Sequence, residues 1–122
     1  MRVVPHLGVG PLRLGMTRAE ARRALDSQAD ELRAVEVFYD ARGHVEYIEV
    51  SKGVAEPVFE GVPVLGLPAS EVVEHVKRYA PPDREDSASF VFPALDLSLW
   101  QSADEEVTFS TVGIGRPGYY PQ

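Results

Sequence analysis

The chain has no cysteine, which removes disulfides, thiolate metal sites and a thiol nucleophile from consideration. It has no apolar run of the ~18 residues a membrane helix needs. It also lacks the roughly 7–15 uninterrupted apolar residues of a secretory signal, because Pro5, His6 and Gly8 break up the opening ten residues. The expected address is the cytoplasm. Positive charge is scarce: 12 Lys plus Arg stand against 19 Asp plus Glu, a net charge of −7. A broad basic surface for nucleic acid is therefore not expected, nor is a membrane-binding one. The negative balance serves solubility or presents an acidic face to a basic partner.

What is present has the composition of one folded domain. The chain has 122 residues, of which 44% are hydrophobic and 25% charged, and a single domain commonly runs ~100–150 residues. We read residues 1–122 as one domain.

Helix signals come first. Thr17-Arg18-Ala19-Glu20 is a capping box, in which the Thr hydroxyl and the Glu carboxylate each satisfy a free amide at a helix start. The helix it opens is expected to end near Asp26–Gln28. A second helix is expected from Ala69 to Tyr79, with Pro68 at its start, an apolar stripe of Val72, Val73 and Val76, and a stop at Pro81-Pro82.

Strand signals follow each helix. Ala34–Tyr39 and Val45–Val50 are rich in β-branched and aromatic residues, with Asp40-Ala41-Arg42-Gly43 as the turn between them. That turn sets Tyr39 against Val45 and Val37 against Tyr47. One face then collects Val35, Val37, Tyr39, Val45 and Tyr47, and the other Glu36, Phe38, Glu46, Ile48 and Val50. Ser89–Phe92 and Leu95–Trp100 form a second hairpin around Pro93-Ala94, with Phe90, Phe92, Leu95, Leu97 and Leu99 on its apolar face. Short strands are expected at Leu12–Leu14, Val58–Phe59 and Val62–Leu65, the last two joined at Glu60-Gly61. A final strand is expected from about Val107 to Ile114. The tail, residues 115–122, has turn chemistry and is expected to be loosely held.

The two halves echo each other. Leu14-Gly15-Met16 matches Leu65-Gly66-Leu67, Glu20 aligns with Glu71, and Leu25 with Val76. The pseudo-repeat halves run about 8–52 and 58–114. The expected fold is α+β: two helices packed on one face of a mostly antiparallel sheet, built from two similar halves.

Residues 8–17, GVGPLRLGMT, together with Glu20 resemble the opening of small uncharacterised bacterial proteins, and Leu95–Trp100 resembles their second hairpin. Gly-Met-Thr ahead of a capped helix is also similar to the repeat unit of the β-lactamase-inhibitor-like and outer-membrane-assembly lipoprotein folds. The resemblance implies a duplicated helix-plus-hairpin module that acts by protein contact. It departs from the secreted families in having neither cysteine nor a lipidation segment.

Chemical motifs are few. His6, His44 and His75 share no metal-ligand spacing, and no metal or cofactor is expected. The carboxylates at Asp83, Glu85 and Asp86 and at Asp104, Glu105 and Glu106 lack calcium-loop spacing and read as solvated loops. Gly8-Val9-Gly10 leads to Pro11 rather than to a phosphate-binding helix, and no G-x-S-x-G elbow exists. No catalytic residue is assigned.

The aromatic residues are the better lead. In this register Trp100, Phe38, Ile48 and Val50 point away from the core, rimmed by Glu36, Glu46 and Asp96. Tyr119 and Tyr120 either cover this patch or extend it. The candidate binding residues are therefore Phe38, Glu46, Ile48, Asp96, Trp100, Tyr119 and Tyr120. The expected partner is another protein or a second copy of the chain, with an immunity or inhibitor protein as the most concrete form. The alternative is a small-molecule or enzymatic pocket between helices and sheet.

Overall fold

Thr17 opens the first helix as its capping box requires. Its hydroxyl accepts from the Glu20 amide at 3.2 Å, and the Glu20 carboxylate accepts from the Thr17 amide at 3.0 Å. The structure, a computed structural model, describes residues 1–53, 56–85, 89–101 and 107–120. Three short strands, β1 (Val3–Val4), β2 (Gly8–Val9) and β3 (Leu12–Arg13), form a small antiparallel sheet ahead of this helix, α1 (Arg18–Ser27). Then come β4 (Val35–Tyr39) and β5 (Val45–Ser51), joined by the Asp40–Gly43 turn. Gly43 takes φ +81°, and the Asp40 carboxylate accepts from the amides of Arg42 and His44.

The second part begins with the hairpin of β6 (Val58–Phe59) and β7 (Val62–Pro63), whose turn residues Glu60 and Gly61 both have positive φ. Helix α2 (Ala69–Val76) ends three residues sooner than the sequence suggests, and tight turns carry the chain on to Pro81-Pro82. Next come β8 (Arg84–Glu85), β9 (Ser89–Phe92), a 3-10 turn over Pro93–Leu95, β10 (Leu97–Trp100) and β11 (Thr111–Gly115). The main sheet runs β4-β5-β11-β10-β9-β8, antiparallel throughout.

Ala21 of α1 and Val72, Val73 and Val76 of α2 join Ile48, Val50, Leu97, Leu99, Val112 and Ile114 in one buried cluster. Both helices thus cover the same face of the sheet and leave the other without helices. This α+β arrangement is the one expected. Among the described residues, no helix is long and apolar enough to cross a membrane.

The first hairpin departs from the expected register. Tyr39 does face Val45, but Phe38 faces Tyr47 and Val37 faces Ile48, because a bulge between Phe38 and Tyr39 leaves Glu46 as an extra residue on β5. Ile48 and Val50 therefore turn into the core, where they are fully buried, and Tyr47 turns out. Burying two such side chains contributes about 1.5–3 kcal/mol each. An interrupted ladder bond costs about 1 kcal/mol, so the bulge is favoured.

The other departures are local. Leu95 belongs to the turn rather than to a strand, and Asp96 takes a left-handed conformation, φ +47°. The last strand begins at Thr111 rather than near Val107, which is exposed. The described part of the tail is not loosely held: residues 116–120 lie across the bare face of the sheet, and residues 121–122 lie outside the described residues.

Candidate functional site: the outer face of the main sheet

The registers lay out the face in rows. Phe38, Tyr47 and Gly115 form one row; Glu36, Glu49, Gly113, Ser98 and Val91 the next; Ser51, Thr111, Trp100 and Ser89 the third. The two glycines of β11 stand at the centre. A Cβ at Gly113 would collide with the Tyr47 phenol, and one at Gly115 with the Tyr119 ring. Their missing side chains leave a shallow bed in which aromatic rings lie against the backbone.

Ser98 anchors that bed. Its buried hydroxyl accepts from the Tyr120 hydroxyl at 2.9 Å and from Trp100 Nε1 at 3.0 Å, and the Tyr47 hydroxyl stands 3.3 Å away. With both acceptor positions filled, the Ser98 proton goes to Tyr47. Burial pushes the Tyr47 phenol far above its ordinary pKa, so this ring stays neutral. Tyr119 stacks on Tyr47 with centroids 4.8 Å apart, and Tyr120 meets Tyr119 edge-on at 5.1 Å.

Asp96 ties down the tail. Its carboxylate accepts from the Gly118 amide at 3.0 Å and the Tyr120 amide at 2.9 Å, and His6 Nε2 lies 2.9 Å from it. Three polar partners hold a carboxylate that is almost fully buried, the condition under which a buried acid is tolerated. The expectation that Asp96 rims an open patch is corrected: it is the peg beneath the tail.

The candidate residues divide as follows. Phe38 and Trp100 stand on the outer face, 41% and 47% exposed. Tyr119 and Tyr120 lie between them as half-buried cover. Glu46, the bulge residue, faces Arg116 at 3.9 Å. Ile48 is removed from the site because the bulge buries it, and Val50 goes with it. Sequence reasoning missed Tyr47, Ser98, Glu49 and the two glycines. Glycines two apart in a strand were the available signal, since they mark one face of close backbone approach.

The face carries one close pair of acids. Glu36 and Glu49 sit directly opposite each other on β4 and β5, an unfavourable pairing of like charges. Burial, and then the neighbouring Glu36, raise the Glu49 carboxyl above its ordinary pKa.

His6 contacts Asp96, but the Ser98 hydroxyl is engaged by Tyr47, Trp100 and Tyr120 rather than by a base. The buried core cluster lies between the helices and the sheet. An open hollow of about 370 Å³ lies between α2 and β9, lined by Ser70, Val73, Glu74 and Phe90 among others. Among the described residues, no group of three or more histidines and carboxylates could hold a metal. Asp86 and residues 104–106 of the carboxylate runs lie outside the described residues.

No family model, curated protein or solved structure matches this chain.

Proposed function

We propose that this chain is a protein-binding module that presents the outer face of its main sheet to a partner, with Phe38 and Trp100 as anchors. The supporting observation is that these two large rings stay about half exposed on the face that the helices leave bare. Three strand spacings and four residues of offset separate them, roughly 20 Å by strand geometry. One interface of about 800 Å² per partner spans both. Tyr119 and Tyr120, already stacked and hydrogen-bonded, lose little freedom on contact. The Glu36–Glu49 pair and the net charge of −7 favour a basic partner. An immunity or inhibitor protein that neutralises a basic enzyme is the concrete form of this reading.

Two similar halves are part of the same proposal, in keeping with the resemblance to duplicated helix-plus-hairpin modules. Each helix follows short antiparallel strands, three ahead of α1 and two ahead of α2. Each helix's N-cap residue bridges to a residue just ahead of a central strand, Thr17 to His44 and Pro68 to Thr108.

The test captures partners from the native host's lysate with the purified chain, then titrates the identified partner against variants. Phe38→Ala with Trp100→Ala should weaken binding by about 30-fold per ring, given ~2 kcal/mol per anchor. Arg22→Ala with Arg23→Ala, on the exposed side of α1, should leave affinity unchanged. The reverse pattern would refute the reading.

A further inference from the structure

Strand β4 ends the main sheet, and among the described residues nothing pairs with its far side. The Ala34 carbonyl accepts from Ser51, and the Asp40 amide donates to His44. The alternation of an antiparallel ladder therefore turns the main-chain groups of Val35, Val37 and Tyr39 away from β5. Among the described residues, the Val35 amide is used locally, donating to the Leu32 carbonyl. The edge has few of the usual protections: it contains no proline or lysine, and the bulge lies in β5 rather than in β4. Its one charged residue is Glu36.

We propose that β4 pairs antiparallel with β4 of a second copy, centred on Val37, to give one continuous sheet across the dimer. The register follows from hydrogen bonding and charge together. Edge-facing residues must meet edge-facing residues, so slips come in steps of two. Centring on Val37 pairs Val35 with Tyr39 of the second copy and sets Glu36 against its Phe38. One step in one direction sets Glu36 against Glu36, and one step in the other sets it against Asp40. Like charges directly opposed are unfavourable, and of these three registers the Val37 one avoids them while pairing all three edge-facing residues, Val35, Val37 and Tyr39. The two-fold axis of such a pair is perpendicular to the sheet, so both bare faces lie on the same side and become one surface of double width.

Each copy carries a net charge of −7, so the copies repel. Screening shortens that repulsion to ~10 Å at about 0.1 M salt, and added salt therefore strengthens the dimer. A basic partner on the outer face responds in the opposite way.

Sedimentation equilibrium on the full chain, at low salt and at about 0.5 M salt, tests this. A dimer that tightens with salt is expected. Phe38→Glu places an acid opposite Glu36 twice in each dimer and should weaken association about tenfold or more. Adding Glu36→Lys should restore it, a rescue that misfolding would not produce. The register has its own check, because the natural chain has no thiol. Glu36→Cys mixed with Phe38→Cys should cross-link under a mild oxidant, since facing residues of a non-hydrogen-bonded pair lie about 4.5 Å apart. Neither variant alone should. A chain that stays monomeric up to about 1 mM in both salts, or Glu36→Cys cross-linking with itself, overturns the proposal.

Discussion

The phenol of Tyr47 occupies the space that a side chain at Gly113 would need. Tyr47 reaches Ser98 only across this gap, and Tyr119 stacks on Tyr47 in turn. Gly113→Ala is expected to lower stability by about 1–3 kcal/mol through overpacking. It should also perturb Trp100, which shares the Ser98 hydroxyl. Urea unfolding followed by tryptophan emission checks both, with Thr111→Ala as a control on the same strand.

Asp96 should prove to hold the tail. Asp96→Ala removes a charged acceptor from two amides and is expected to cost about 2–4 kcal/mol. Asp96→Asn keeps a short polar side chain suited to the left-handed conformation and should cost less. Hydrogen exchange at Gly118 and Tyr120 reports the release directly and should accelerate most in the alanine variant.

The register of β4 and β5 puts Ile48 and Phe38 on opposite faces of the sheet. Ile48→Ala is expected to cost about 2–5 kcal/mol by emptying a core position. Phe38→Ala, on the outer face, should cost less than about 1 kcal/mol when measured at low protein concentration. Denaturant midpoints of the two variants decide the matter.

Much of this was legible in the sequence. Thr17 and Glu20 announced the first helix, the Val72, Val73 and Val76 stripe the second, and the alternation through Phe90, Phe92, Leu97 and Leu99 the second hairpin. The bulge is not signalled by the turn, and its one trace in the sequence is the adjacent Tyr47 and Ile48, which break the alternation of β5. A one-residue insertion reverses the face of every later residue, which is why the turn-based register puts Ile48 outside and Tyr47 inside. The docking of the tail is illegible for another reason. Turn-forming residues say nothing about the distant carboxylate of Asp96 that receives their amides.

Acidic pH should relieve one strain. Burial and Glu36 raise the folded-state pKa of Glu49, so ionising this carboxyl disfavours the fold. That penalty is absent below the unfolded carboxylate range and fully present above the raised folded value. Glu49→Gln should therefore be more stable than the parent at neutral pH and equal to it at low pH. Glu20 and Asp40 act in the opposite sense. Their pKa values are lowered chiefly by hydrogen bonds from Thr17 and His44, so the stability they contribute is lost as pH falls through the lowered values. Chemical denaturation of parent and Glu49→Gln across this range reads the crossover.

Trp100 is the only tryptophan of the chain, and its fluorescence probes the proposed docking face most directly. In the free monomer, acrylamide should quench it readily and its emission should be that of a partly hydrated indole. Saturation with the captured partner should shift that emission to the blue and shield it. Tight binding that leaves the quenching unchanged would contradict docking at this face, as would an indole already shielded in the free monomer.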